Sequence, residues 1–187
     1  MANYKILGIC GSLRVKSINR NALRAASEVM PEGMQLTIAN YDAIPLFNQD
    51  VQDKGMPAAV LQLAAEIRAA DALLFASPEY NFSISGVLKN CIDWMSRVPE
   101  QPFKDKPAAI ISATPGPLGG GRHQYELRKI LGCLEAVVLL KPEVFISLAP
   151  SKFDAEGTLT DAAARKILTD QMAAFSRWIG RVAIQPQ

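Results

Sequence analysis

The segment Tyr4-Lys5-Ile6-Leu7-Gly8-Ile9-Cys10-Gly11-Ser12-Leu13-Arg14-Val15-Lys16-Ser17-Ile18-Asn19 decides the fold class. Its first seven residues are mostly apolar and end at Gly11, as in a strand buried on both faces. The chain then turns into a helix predicted from about Asn19 to Met30, stopped by Pro31 and Gly33. This strand–loop–helix unit recurs. Gln35 to Asn40 reads as a second strand, followed by a loop from Tyr41 to Gly55. Pro57 suits the first turn of a second helix, with Val60, Ala64 and Ile67 on its apolar face. Ala72 to Ala76 is a wholly apolar third strand, and Ile84 to about Arg97 has the clearest helical periodicity. Ala108 to Ala113 reads as a fourth strand, and Leu127, Ile130, Leu131 and Leu134 mark a fourth helix. Val137 to Leu148 holds a fifth strand, with Pro142 placed to bend or split it. Ile167, Leu168, Met172, Phe175, Ile179 and Val182 mark the last helix. This alternation implies one α/β domain over residues 1–187, with a parallel sheet covered on both faces. Ligands in such sheets bind beyond the carboxyl ends of the strands, which directs attention to the loops after the first, third and fourth.

Composition excludes several alternatives. The 187 residues carry 20 Lys and Arg against 18 Asp and Glu, and a chain so nearly neutral lacks the basic excess of a nucleic-acid-binding surface. No apolar run reaches the roughly 18 residues that suggest a membrane span. The start, Met1-Ala2-Asn3-Tyr4-Lys5-Ile6, has none of the parts of a signal peptide, so a cytoplasmic location is expected. Cys10, Cys91 and Cys133 are odd in number, far apart and in apolar surroundings, as expected of reduced core thiols. With no C-x-x-C or H-x-x-x-H spacing and a lone His123, no zinc site is expected.

The loop after the first strand has the chemistry of a phosphate site. A helix N-terminus offers unpaired N–H groups and partial positive charge. Ser12, Ser17 and Asn19 add hydroxyl and amide donors, and Arg14 adds a charged fork that can grip two phosphate oxygens. The same residues would serve as helix caps, with Ser17 or Asn19 in that role and Arg14 on the surface. The loop is neither a Walker A loop nor G-x-G-x-x-G. It narrowly misses the tyrosine-phosphatase loop C-x5-R, because Lys16 stands where that motif needs arginine. A nucleophilic Cys10 is therefore not expected.

After the third strand comes Ser77-Pro78-Glu79-Tyr80-Asn81-Phe82-Ser83-Ile84-Ser85-Gly86-Val87-Leu88-Lys89-Asn90. Pro78 fixes the strand exit. Tyr80 and Phe82 offer flat apolar surface, Asn81 and Ser83 offer polar groups, and Ser83 is positioned to cap the following helix. A flat heteroaromatic ligand needs this mixture, although a capped turn has the same composition.

Gly11-Ser12-Leu13-Arg14 with Ser17 and Asn19, then Ser77-Pro78-Glu79-Tyr80-Asn81, then Gly86-Val87-Leu88-Lys89-Asn90-Cys91-Ile92-Asp93-Trp94, closely resembles the NAD(P)H-dependent FMN reductases. It is most similar to the branch called chromate or quinone reductases. The resemblance runs from Tyr4 to about Trp178 and implies a flavodoxin-like fold with five parallel strands in the order 2-1-3-4-5. It implies that Ser12, Arg14, Ser17 and Asn19 bind the FMN phosphate, and that Pro78, Glu79, Tyr80, Asn81 and Ser83 border the isoalloxazine ring. The loop Ser112-Ala113-Thr114-Pro115-Gly116-Pro117-Leu118-Gly119-Gly120-Gly121-Arg122 matches one that lies along the far side of the flavin. Ser112, Gly116, Gly119, Gly120 and Gly121 thereby become cofactor-site candidates, since glycine lets a backbone approach a ligand.

The implied activity passes hydride from NADPH or NADH to flavin N5. Electrons then go to quinones, flavins or metal oxyanions such as chromate, in ping-pong fashion, and no side chain is required as an acid or base. Relatives imply a homodimer or homotetramer, with Arg122, Tyr125 and Glu143 at positions of a cross-subunit polar network. Trp94, Met95 and Trp178 read as core. The rivals are a flavodoxin-like electron carrier, a phosphatase or nucleotide-binding module, and a receiver domain. Carriers are typically strongly acidic, which this chain is not; the phosphatase and Walker patterns are missing, as is the receiver's acidic pair after the first strand.

Overall fold

Residues 3–182 are described in a computed structural model of the chain. Met1, Ala2 and residues 183–187, which the expected domain span includes, lie outside the described residues. Strands β1 (Tyr4–Cys10), β2 (Met34–Ile38), β3 (Ala72–Ala76), β4 (Pro107–Ala113), β5 (Val137–Val138) and β6 (Val144–Ile146) form one parallel sheet. Its order is β2-β1-β3-β4-β5, with β6 also paired to β4. Helices α1 (Ile18–Glu28), α2 (Gln49–Gln52), α3 (Ala58–Ala69), α4 (Gly86–Met95), α5 (Gly121–Cys133) and α6 (Ala162–Val182) connect or follow the strands. The flavodoxin-like order read from the resemblance is thus the observed one.

The period of two along each strand sorts its residues into two cores. Leu7, Ile9, Phe75 and Ile110 point to one face and pack with Leu63 and Ile67 of α3, Leu88 and Trp94 of α4, and Leu127 of α5. Ile6, Leu74 and Ile111 point to the other and meet Leu23 of α1 and Leu168, Met172 and Phe175 of α6. Trp94 and Met95 are buried as expected; Trp178 is only partly buried, and its indole N–H donates to the Val137 carbonyl.

Three local expectations need correction, and the bend or split expected at Pro142 is a split. The fifth strand is two short pieces on either side of Pro142, each paired with β4. Proline has no N–H for a sheet ladder, and the Gln171 side-chain amide donates to the carbonyls of Ile110 and Pro142 at the break. Pro57 is the N-cap of α3 and not a residue of its first turn. The Tyr41–Gly55 loop contains the short helix α2, capped by Asn48. Cys133 is exposed, unlike the buried Cys10 and Cys91; it ends α5 on a turn that faces solvent.

Candidate flavin site at the carboxyl edge of the sheet

The carboxyl ends of β1, β3 and β4 are adjacent in the sheet, so the three loops singled out from sequence meet at one edge. In the first, the short polar side chains turn inward. Ser17 is the N-cap of α1, its hydroxyl accepting from the Arg20 N–H at 3.3 Å. Ser12 is buried, and its hydroxyl accepts from the Arg14 N–H at 3.4 Å. Asn19 does not cap. Its amide donates to the Ala113 carbonyl and accepts from the Ala113 N–H, both at 2.9 Å, which ties α1 to the end of β4. Arg14, Val15 and Lys16 are exposed. The N–H groups of Ile18 and Asn19, in the first turn, have no acceptor among the described residues, as a helix N-terminus leaves them.

Two residues that the sequence reading missed hold this loop in shape. The Tyr41 hydroxyl donates to the Cys10 carbonyl at 2.5 Å, and the Ser85 hydroxyl donates to the Gly11 carbonyl at 2.6 Å. Burial, together with neighbouring Cys91 and Cys10, keeps the Tyr41 hydroxyl protonated far above its ordinary range, so it remains a donor. With these carbonyls bound from behind, the loop can offer its N–H groups at the edge. Ser85, not Ser83, caps α4 by accepting from the Leu88 N–H. Its signal in the sequence was a serine directly before the first helical residue. Cys10 is buried, and its thiol donates to the Ser12 carbonyl at 3.4 Å. Burial pushes the Cys91 thiol up to about 12.

The loop after β3 is a tight hairpin. Tyr80 and Ser83 exchange backbone hydrogen bonds of 3.0 Å each way, with Asn81 at φ 50° and Phe82 at φ 70° between them. Two successive positive φ values define a type I′ turn. Asparagine adopts that conformation readily; phenylalanine does so at a cost on the order of 1 kcal/mol. Contacts from α5 oppose that cost. The Arg122 guanidinium lies 3.6 Å from the Phe82 ring centroid and forms an ion pair with Glu79. The His123 N–H also donates to the Glu79 carboxylate at 3.3 Å. Burial raises the Glu79 carboxyl, but the bonds from Arg122 and His123 outweigh it and hold it below the usual range. Pro78 is buried at the strand exit, whereas Tyr80 and Phe82 are exposed at 49% and 66%, with Arg122 over one face of the Phe82 ring.

In the loop after β4 the candidates divide. Gly119 and Gly120 sit at φ 59° and 88°, and a Cβ on either would lie within 3.0 Å of Phe145, His123 or Ser112. Their need for glycine is explained by packing and backbone conformation. A Cβ on Gly116 or Gly121 would meet nothing within 4 Å, so these two face open space. The Ser112 hydroxyl is buried, donating to the Gly119 carbonyl at 2.5 Å and accepting from Gln124 at 2.7 Å. Ser112 shapes the loop from beneath.

Between β5 and β6, Glu143 is joined by Lys141 in an ion pair. Burial raises its carboxyl, but hydrogen bonds from Lys141 and Tyr125 hold it low. Arg122 faces Glu79, so within one chain Arg122 and Glu143 belong to separate polar groups.

The edge fits FMN in two respects. Arg14 and the free N–H groups of α1 suit a phosphate. The hairpin presents the exposed Tyr80, and the backbone at Gly116 and Gly121 is open, which suits a flat ring. The sequence model of the NADPH-dependent FMN reductases matches residues 4–151. The chain belongs to this family. It is 52% identical over 180 residues to an NAD(P)H-dependent FMN reductase of Pseudomonas aeruginosa, covering 96% of this chain and 97% of the relative. It is 40% identical over 183 residues to a quinone reductase of Escherichia coli, covering 96% and 97%. Among solved structures, the flavoenzyme NAD(P)H:(acceptor) oxidoreductase FerB of Paracoccus denitrificans superposes with a TM-score of 0.88 at 31% identity, covering 97% and 100%. The protein is therefore an NAD(P)H-dependent oxidoreductase of the FMN reductase family. Among the described residues no helix is long and apolar enough to cross a membrane.

Proposed function

We propose that the chain works as one FMN-binding domain that oxidises NAD(P)H and reduces quinones, with free flavins and metal oxyanions such as chromate as further acceptors. The observation that carries this reading is the placement of an anion-binding helix terminus and an exposed aromatic hairpin on one sheet edge. In this reading Arg14 and the first-turn N–H groups of α1 hold the FMN phosphate. Ser12, Ser17 and Asn19 set the shape of the loop that presents them. Pro78, Glu79, Tyr80, Asn81 and Ser83 border the ring on one side, and Gly116 to Gly121 on the other, with backbone groups making many of the contacts. Bound FMN supplies the hydride-accepting and electron-donating chemistry. The protein contributes position and fixed N–H dipoles, and no residue is assigned as a general acid or base.

In each turnover NAD(P)H, a proton and a quinone become NAD(P)+ and hydroquinone. Donor and acceptor take turns over the same open face, which predicts parallel double-reciprocal plots. The exposed Leu118, Tyr125, Leu140 and Leu148 around α5 favour a homodimer or homotetramer, with Arg122, Tyr125 and Glu143 near its interface. Light scattering at micromolar concentration tests this, and a monomer refutes it. The three free thiols fit a cytoplasmic location.

The decisive experiment is anaerobic addition of NADPH, and then NADH, to the FMN-loaded protein. Rapid bleaching of the flavin absorbance, reversed by a quinone, is expected. Tight FMN binding with no bleaching by either nucleotide would replace the reductase reading with that of an electron carrier.

A further inference from the structure

The segment Gly86-Val87-Leu88-Lys89-Asn90-Cys91-Ile92-Asp93-Trp94 carries part of the family resemblance but no proposed flavin contact. Asn90 and Trp94 instead fasten a distant loop. The Asn90 amide donates to the Pro45 carbonyl at 2.9 Å and accepts from the Phe47 N–H at 2.7 Å. The Trp94 indole N–H donates to the same Pro45 carbonyl at 2.8 Å, and its ring meets Phe47 edge-on with centroids 5.0 Å apart. Leu46, bracketed by these bonds, is 82% exposed, yet its backbone neighbours are fixed on both sides. It lines a cavity of about 490 Å³ together with the apolar Leu13, Ile44 and Val87 and with Tyr41, Tyr80, Ser85, Gly86 and Asn90.

The chemistry of this cavity is selective. No Lys, Arg, Asp or Glu lines it. Three of its polar side chains already have protein partners: the Tyr41 and Ser85 hydroxyls bind the carbonyls of Cys10 and Gly11, and the Asn90 amide binds Pro45 and Phe47. An anion entering it would lose hydration and meet no charged side chain. An apolar group would gain burial against Leu13, Ile44, Leu46 and Val87. The volume lies within the range of small-molecule pockets. Tyr80 belongs both to this cavity and to the hairpin, so the cavity adjoins the sheet edge described above.

We propose that this cavity seats the apolar tail of a quinone acceptor and makes the enzyme prefer tailed, neutral quinones over bare or anionic acceptors. The proposal rests on the oxidoreductase reading of the adjoining edge. Two positions test it without touching that edge's ligands. A Cβ on Gly86 meets nothing within 4 Å, and its backbone is not in the left-handed region, so Gly86→Leu fills the cavity without strain. Leu46→Gln removes an exposed apolar wall without opening a core.

Two quinones are compared, 2,3-dimethoxy-5-methylbenzoquinone and the same headgroup with a decyl chain. Binding to the oxidised FMN-loaded protein is measured by calorimetry, and KM in turnover with NADPH. Each methylene that enters the cavity contributes roughly fourfold in affinity, so the decyl compound is expected to bind at least tenfold more tightly. Both variants should erase most of that advantage and leave FMN affinity and headgroup KM unchanged. Equal binding of the two quinones by the unmodified protein, or equal losses for both in the variants, would overturn the proposal. So would loss of FMN from Gly86→Leu, which would assign the cavity to the flavin. Tail-dependent binding without flavin bleaching by NADPH would instead sink the reductase reading and leave the cavity assignment standing.

Discussion

In the loop after β1 the short polar side chains turn inward and are engaged by the protein. Ser12 and Ser17 accept from their own loop and helix, and Asn19 binds both backbone groups of Ala113. In the loop after β3 the backbone closes on itself through the Tyr80–Ser83 pair, and the side chains turn outward. The first loop can offer a ligand N–H groups and the exposed charges of Arg14 and Lys16, from a hydrogen-bonded frame. The second offers flat surface on a turn that a single arginine steadies from outside. Changes in the first should therefore appear as folding stability or phosphate affinity, and changes in the second as altered contact with the ring and acceptor.

Asn19→Ala is expected to have the largest effect. It leaves the buried N–H and carbonyl of Ala113 without partners, for a loss of about 2–4 kcal/mol in urea unfolding of the FMN-free protein. If stability barely changed while FMN affinity collapsed, Asn19 would be a direct ligand and the contrast between the loops would fail.

His123 comes next. Burial pushes its imidazole down to about 4 from 6.5, against raising contributions from Gly120 and Glu79. The unfolded chain then binds a proton below pH 6.5 that the folded chain refuses until about pH 4. Stability should fall as pH drops through that window, by an amount on the order of 3 kcal/mol when complete. Because the chain has a single histidine, its NMR resonances can be followed without assignment, and they should not titrate between pH 7 and 5. An imidazole titrating near 6.5 would show that the base of α5 is open to water.

The fold was legible because strand burial is continuous and helix periodicity is strong, as in Ala72–Ala76 and Ile84–Met95. The break at Pro142 was visible as a possibility of bend or split, but the Gln171 amide that bridges it lies on a distant helix. The site's position followed from topology and its family from the quoted motifs. Local roles were harder to read. Ser12, Ser17, Asn19 and Ser112 all look like ligands in sequence, because a donor's residue type does not reveal which way it points. Tyr41 was read only as the start of a loop, since its partner, the Cys10 carbonyl, is a backbone atom of another strand. Gly119 and Gly120 looked like ligand-approach glycines, and the structure explains them by the neighbours a Cβ would strike.

Arg14→Ala tests the outward side of the first loop. Arg14 is exposed and has no ion-pair partner among the described residues. Stability of the FMN-free protein should change by less than about 0.5 kcal/mol. A charge-assisted contact is worth roughly 1.5–3 kcal/mol, so FMN affinity should fall about 10- to 100-fold. Riboflavin, which lacks the phosphate, should bind both proteins equally in a fluorescence titration. Equal losses for FMN and riboflavin would place Arg14 beside the ring.

The smallest effect is expected at the hairpin's latch. A double-mutant cycle with Glu79→Gln and Arg122→Ala should give a coupling of about 1 kcal/mol, because the arginine side chain is 43% exposed and solvent screens the pair. The Glu79 side chain, at 7% exposure, is nonetheless much less hydrated than either member of the Lys89–Asp93 pair, at 47% and 39%. The same cycle at Lys89 and Asp93 should give only about 0.3–0.5 kcal/mol. Since the Glu79 carboxyl is held low when folded, its coupling is fully present above the ordinary carboxylate value of 4.5 and fades as pH falls through the lower folded value. A coupling no larger than that of Lys89 and Asp93 would mean that the hairpin holds itself, with Phe82 in the left-handed region through its own turn and no help from α5. The two loops would then both be self-supporting, and Arg122 would be left free to face a partner subunit or an incoming acceptor.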